Sequence, residues 1–136
     1  MAPPGQTLDE QINVFKIDET YLFKHYFEGE DVFDRLKPFY NHTQYRFEVP
    51  VNEFEQLRVF LSDQGYDLVV VETPTKFVVV VKKYTAHPEN IFKDSVVQRS
   101  ANGYNCFLLT DQYAVAEAIS QGATRFSDAD LPNPFR

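Results

Sequence analysis

A single cysteine, Cys106, excludes an intramolecular disulfide. Glycine is also scarce. The five glycines stand far apart and never form GxGxxG or a Walker loop, which excludes the common grips on nucleotide phosphates. No CxxC, HExxH or calcium-loop pattern occurs. The three histidines, His25, His42 and His87, lack the close spacing of zinc ligands. No cofactor or metal is therefore expected. No apolar run approaches the roughly 18 residues of a membrane span, so no membrane partner is expected. The opening Met1-Ala2-Pro3-Pro4-Gly5-Gln6-Thr7 has neither a basic flank nor an apolar centre and does not read as a secretory signal. Cytoplasm is the expected compartment. The match of Asn41-His42-Thr43 to a glycosylation sequon then carries no weight.

What is present is 136 residues, enough to bury a core without a disulfide or metal. The sequence reads as an N-terminal arm over 1–10, rich in proline, followed by a single α+β domain over 11–136. Positive charge is in short supply: 13 Lys and Arg stand against 20 Asp and Glu, for a net charge of −7. Such a balance excludes a uniformly basic coat for nucleic acid. The deficit is uneven, however. Residues 1–75 carry a net −8, residues 76–110 a net +3 and residues 111–136 a net −2. A basic middle inside an acidic chain is the asymmetry to follow.

The coarse elements alternate hairpins with helices. A strand is expected over 11–17. Asp18 is placed to cap a helix with Leu22, Phe23, Tyr26 and Phe27 on one face and Gly29 ending it. A second helical stretch over 31–37 stops at Pro38. Residues 45–49 alternate as a half-buried strand. Asn52 and Glu55 form a capping-box-like start for a helix carrying Phe54, Leu57, Phe60 and Leu61, with Gly65 just past its end. The valine runs 68–71 and 77–81 read as a hairpin through Thr73-Pro74-Thr75, covered on both faces or at a subunit contact. Thr85 or His87 is placed to cap a short helix with Pro88 at its first position. Runs 96–101 and 104–109 flank Asn102-Gly103, the strongest short hairpin signal. A last helix, capped by Thr110 or Asp111, has Val115, Ala118 and Ile119 inside and Gly122 at its end. The tail is irregular, with Phe126, Leu131 and Phe135 set to lie against the body. The expected class is α+β, a mainly antiparallel sheet with helices packed on one face. The stretch 45–109 is a place for a ferredoxin-like split β-α-β element.

Two surfaces stand out chemically. Lys76, Lys82, Lys83, Lys93, Gln98 and Arg99 are interleaved with Tyr84, Phe92 and Tyr104, with His87 in the same stretch, a pattern in which cations meet phosphates and rings stack on bases. Alternation along a strand sends Lys82 and Lys83 to opposite faces, so the pair lines one groove only where the strand ends between them. The second surface is aromatic. Tyr21, Phe23, Tyr26, Phe27, Phe33, Phe39, Tyr40 and Tyr45 crowd into 25 residues. Of these, Tyr21, Tyr26, Phe33, Phe39 and Tyr40 are the candidate interface residues, because one copy of a small fold struggles to hide so many rings.

The favoured expectation is a non-catalytic binding or regulatory protein, self-associating or docking a protein partner through the aromatic half or the valine edge. A nucleic-acid-associated protein using residues 76–104 is the alternative. A hydrolase or nuclease assembled from His42, Asp67, Lys82, His87, Arg99 and Tyr104 is the third reading. Its weakness is the strand Val80-Val81-Lys82-Lys83, which lacks the second acid of a metal-dependent nuclease. Cys106 lies in an apolar strand-like run with no base in view, so burial is expected rather than nucleophilic use.

Overall fold

The computed structural model describes residues 10–135. The expected arm therefore lies outside the described residues except for Glu10, which already opens a strand. The chain divides into two compact units, residues 1–71 and 72–136. Each has its own sheet, mainly antiparallel, with helices packed on it, as expected of an α+β protein.

The first unit opens with β1 (Glu10–Ile17) and β2 (Thr20–Phe23), an antiparallel pair. Here the expected helix after Asp18 gives way to a hairpin. Asp18 takes φ 56° in the turn, and both Leu22 and Phe23 are buried. Neighbours that are both buried suit a strand covered on two faces. The spacing of Leu22 to Tyr26 and Phe23 to Phe27 had imitated a helical stripe. Gly29, placed by the sequence at a helix end, instead starts α1 (Glu30–Leu36) with φ 94°. Next come β3 (Tyr40–Asn41), β4 (Arg46–Pro50), α2 (Val51–Asp63) and β5 (Tyr66–Val70). Helix α2 starts from Pro50, so the capping box at Asn52 does not form. Gly65, with φ 89°, turns the chain from α2 into β5 as its position past the helix end predicts.

The strand order is β3-β4-β2-β1-β5. Every pair is antiparallel except β1 with β5. One face carries Ile12, Val14, Phe23, Phe47, Val49 and Leu68, and onto it pack Val32 and Leu36 of α1 with Phe54, Leu57 and Leu61 of α2. Rings dominate: Phe47 lies 5.2 Å from Phe23, 5.5 Å from Phe27 and 4.9 Å from Tyr40, centroid to centroid. Burying a phenylalanine stabilises by about 1.5–3 kcal/mol, so this cluster is the main anchor of the unit.

The second unit holds β6 (Val78–Lys82), α3 (Ile91–Asp94), β7 (Ser95–Ala101), β8 (Tyr104–Leu109), α4 (Gln112–Ser120) and β9 (Thr124–Arg125). Its order is β7-β8-β6-β9, antiparallel throughout. The β7–β8 hairpin turns through Asn102 and Gly103, both at positive φ (48° and 85°), the backbone that an Asn-Gly pair adopts most readily. Val78, Val79, Val80 and Val81 are all buried, as an unbroken valine run implies. The Asp111 carboxylate accepts the Ala114 N–H at 2.7 Å and caps α4. Ala114, Val115 and Ala118 of that helix pack on Val79, Val81, Phe107 and Leu109.

Two expected pairings are absent. The valine runs do not form a hairpin: β5 joins β1 in one sheet and β6 joins β8 and β9 in the other. The strands of 45–109 are thus divided, and no ferredoxin-like sheet spans them. What survives is the crossover β4-α2-β5, with β2 and β1 lying between its two strands. The short helix expected from Pro88 begins three residues later, at Ile91, after Asn90 in the left-handed region.

Candidate functional site

Strand β5 ends its sheet, and its geometry decides what its outer side offers. In a parallel ladder alternate residues turn their peptide groups toward the neighbouring strand. The Glu10 N–H donates to the Gly65 carbonyl at 2.9 Å, and the Val71 N–H to the Val14 carbonyl at 2.9 Å. These bonds assign Gly65, Asp67, Val69 and Val71 to β1. The peptide groups of Tyr66, Leu68 and Val70 therefore face outward, where no described strand pairs with them. Val69 and Val70 beside them are 36% and 41% exposed. An open strand edge carrying exposed valines is a template for a further strand.

The aromatic candidates separate into two groups. Tyr21 stacks on Phe54 at 3.9 Å, and Tyr21, Phe39 and Tyr40 all pack against the ring core. Tyr26 is 84% exposed, and Phe33 is exposed beside it along a shallow groove with Lys37 set 5.9 Å from the Phe33 ring. His25 rests against Phe27 and Tyr66, with its Nε2 at 3.4 Å from Glu10 Oε1. The buried Nε2 makes no hydrogen bond among the described residues.

The basic candidates occupy both ends of the second sheet. Lys82 faces Tyr104 across the β6–β8 ladder. The Lys83 N–H donates to the Gly103 carbonyl, and Tyr84 stands fully exposed at φ 67° in the turn that follows. Lys76 precedes the same strand at its other end, in the short turn Pro74–Phe77, and β6 itself, at about 3.3 Å per residue, spans about 13 Å from Val78 to Lys82. Lys93 lies in α3, and the Asp94 carbonyl beside it accepts the Thr110 N–H just past β8, at that far end as well. His87 turns to Phe92 and Phe107, at 5.2 and 5.8 Å. Gln98 is exposed on β7. Arg99 is occupied: its Nη1 donates to the Pro134 carbonyl at 2.6 Å and its guanidinium lies 5.8 Å from the Phe135 ring. The structure thus brings together Lys82, Lys83, Tyr84 and Tyr104, and leaves Lys76, Lys93 and Arg99 elsewhere.

The residues of the hydrolase reading follow the same division. Within the second unit Lys82 and Tyr104 are partners, while His87 and Arg99 turn to other contacts. In the first unit His42 packs on Tyr40 at 4.8 Å and Asp67 lies in β5. Among the described residues no three His, Cys, Asp or Glu side chains gather as metal ligands, and no helix is long and apolar enough to cross a membrane. Cys106 is fully buried in β8, and burial pushes its thiol pKa up. A thiol held protonated is a poor nucleophile.

Arg125 and Ser127 escaped the sequence reading. They line a cleft with Lys76, yet the run Thr124-Arg125-Phe126-Ser127 carries no motif and gains its meaning only when β9 pairs with β6. No family model, curated protein or solved structure matches this chain, so its sites are read from its own residues and geometry.

Proposed function

We propose that this chain is a binding protein that works as a self-associated pair, with β5 of two copies joined edge to edge. The carrying observation is the outward row of peptide groups at Tyr66, Leu68 and Val70. That row is symmetric about Leu68. A second copy laid antiparallel therefore meets the same donors and acceptors it presents, as a two-fold contact requires. In this register Tyr66 lies across from Val70 and Asp67 across from Val69. No like charges oppose each other. The exposed valines then gain cover, which favours association by the hydrophobic effect.

Light scattering after size-exclusion chromatography tests this reading. The native chain should run as a dimer at micromolar concentration. Val70→Pro should run as a monomer with an unchanged circular dichroism spectrum, because its lost N–H faces outward and proline is tolerated at such an edge position. Val70→Lys should act alike by placing charge on the edge. A monomeric native chain across the micromolar range, or a dimer that survives both substitutions, overturns the proposal.

A further inference from the structure

The cleft beside Lys76 has the features of an anion site. It is lined by Thr75, Lys76, Gln112, Arg125, Phe126 and Ser127, with Val78 at its base, and encloses about 290 Å³. Three elements build it: the short turn Pro74–Phe77 before β6, the start of α4, and β9 with the turn Phe126–Asp128 that follows. Each is tied down. The Gln112 Nε2 donates to the Lys76 carbonyl at 2.9 Å, and the Lys76 N–H donates to the Thr73 carbonyl at 3.1 Å. Arg125 sits in the ladder opposite Val79. The Ala129 N–H closes the last turn on the Phe126 carbonyl.

The charges in this cleft are uncommitted. Neither Lys76 nor Arg125 takes part in any ion pair among the described residues. The carboxylates nearest in the chain, Glu72, Asp111, Asp128 and Asp130, are all outside the lining, and Asp111 accepts the Ala114 N–H. Two cations without an ion-pair partner thus line one cleft.

We propose that this cleft binds a phosphate monoester of a small apolar or aromatic group. A phosphate monoester carries about −1.5 to −2 charges at neutral pH, which two cations match. The guanidinium of Arg125 suits two phosphate oxygens at once, and Lys76 supplies a point charge. Thr75 and Ser127 add hydroxyl donors. Phe126 and Val78 give the organic part an apolar wall, as ligand clefts usually combine a few polar groups with apolar lining. The site shares no residue with β5, so failure of either proposal leaves the other standing.

Titration calorimetry with phenyl phosphate on the full chain is the test, with inorganic phosphate and phosphatidic acid vesicles as further arms. Phenyl phosphate should bind saturably, and more tightly than inorganic phosphate. Lys76→Gln and Arg125→Gln should each weaken it by about tenfold, the loss expected of one charge-assisted contact. Both side chains are exposed, so the variants should keep their melting temperatures. Lys82→Gln, at the other end of β6, should leave binding unchanged. Absence of saturable binding, equal weakening by Lys82→Gln, or binding to vesicles without binding of phenyl phosphate overturns the proposal.

Discussion

Phe23, Phe27, Phe47 and Phe54 fill the core of the first unit, with Tyr21, Phe39, Tyr40, Phe60 and Tyr66 packed around them. The second unit builds its helix-covered core from Val79, Val81, Ile91, Leu109, Val115 and three alanines, with Phe107 as its ring. The charges differ in the same way. Residues 1–71 carry 6 basic and 13 acidic side chains, whereas residues 72–136 carry 7 of each. The whole net charge of −7 thus belongs to the first unit. One chain has two solutions to burying a sheet face. Large rings span the space between sheet and helices in one, and alanines let a helix approach closely in the other. The opposite vulnerabilities follow: the first unit should suffer most from truncation and the second from enlargement.

Phe47→Ala is the strongest challenge to that contrast. It removes a ring from the centre of the first core, and the expected loss is about 3–5 kcal/mol in denaturant unfolding. Ala118→Leu presses extra methyl groups into the close approach of α4 to its sheet, at an expected cost of about 1–3 kcal/mol. Equal tolerance of the two changes would erase the distinction. The helix starts sharpen it next. Asp111 caps α4 through its side chain, whereas α2 begins at Pro50 with no side-chain cap. Asp111→Ala should cost about 1 kcal/mol, and Asn52→Ala close to nothing.

The smallest effect concerns α2 alone. Arg58 Nε donates to Glu55 Oε2 at 3.0 Å, and a second bond joins Arg58 Nη2 to Glu55 Oε1. This hydrogen bonding holds the Glu55 carboxyl below its usual range, with the charge of Arg58 adding to it. A carboxylate whose pKa is lowered by folding contributes stability above its unfolded pKa and loses it as pH falls through the folded one. Melting temperatures of native chain and Glu55→Gln should therefore differ slightly at neutral pH and converge in acid. The pair is exposed, so added salt should shrink the difference.

Legibility in the sequence followed the range of the interactions. The Asn102-Gly103 hairpin was visible because two residues carry its turn geometry. Helix α4 was visible because Asp111, Val115 and Ala118 lie within a few residues of one another. β2 was misread because Leu22, Phe23, Tyr26 and Phe27 satisfy a helical spacing that the strand pairing of Tyr21 with Val49 overrides. The fate of the valine runs was hidden for a different reason. Val69 pairs with Asn13, 56 positions away, and no local signal reports a parallel pairing at that distance. The candidate sites divide likewise. The valine runs pointed to strands covered on both faces or at a subunit contact without showing which of them ends a sheet, and Arg125 met Lys76 only through the fold.

The hidden thiol of Cys106 has a practical meaning. It is the chain's one cysteine, and it lies in β8 at the middle of the second sheet. A thiol reagent reaches it only when that sheet opens. The rate of its modification under native conditions is therefore a clock for the second unit alone, built in without any engineered label. Compared with a probe of the whole chain, such as circular dichroism, this clock reads whether residues 72–136 come apart before the rest or together with it.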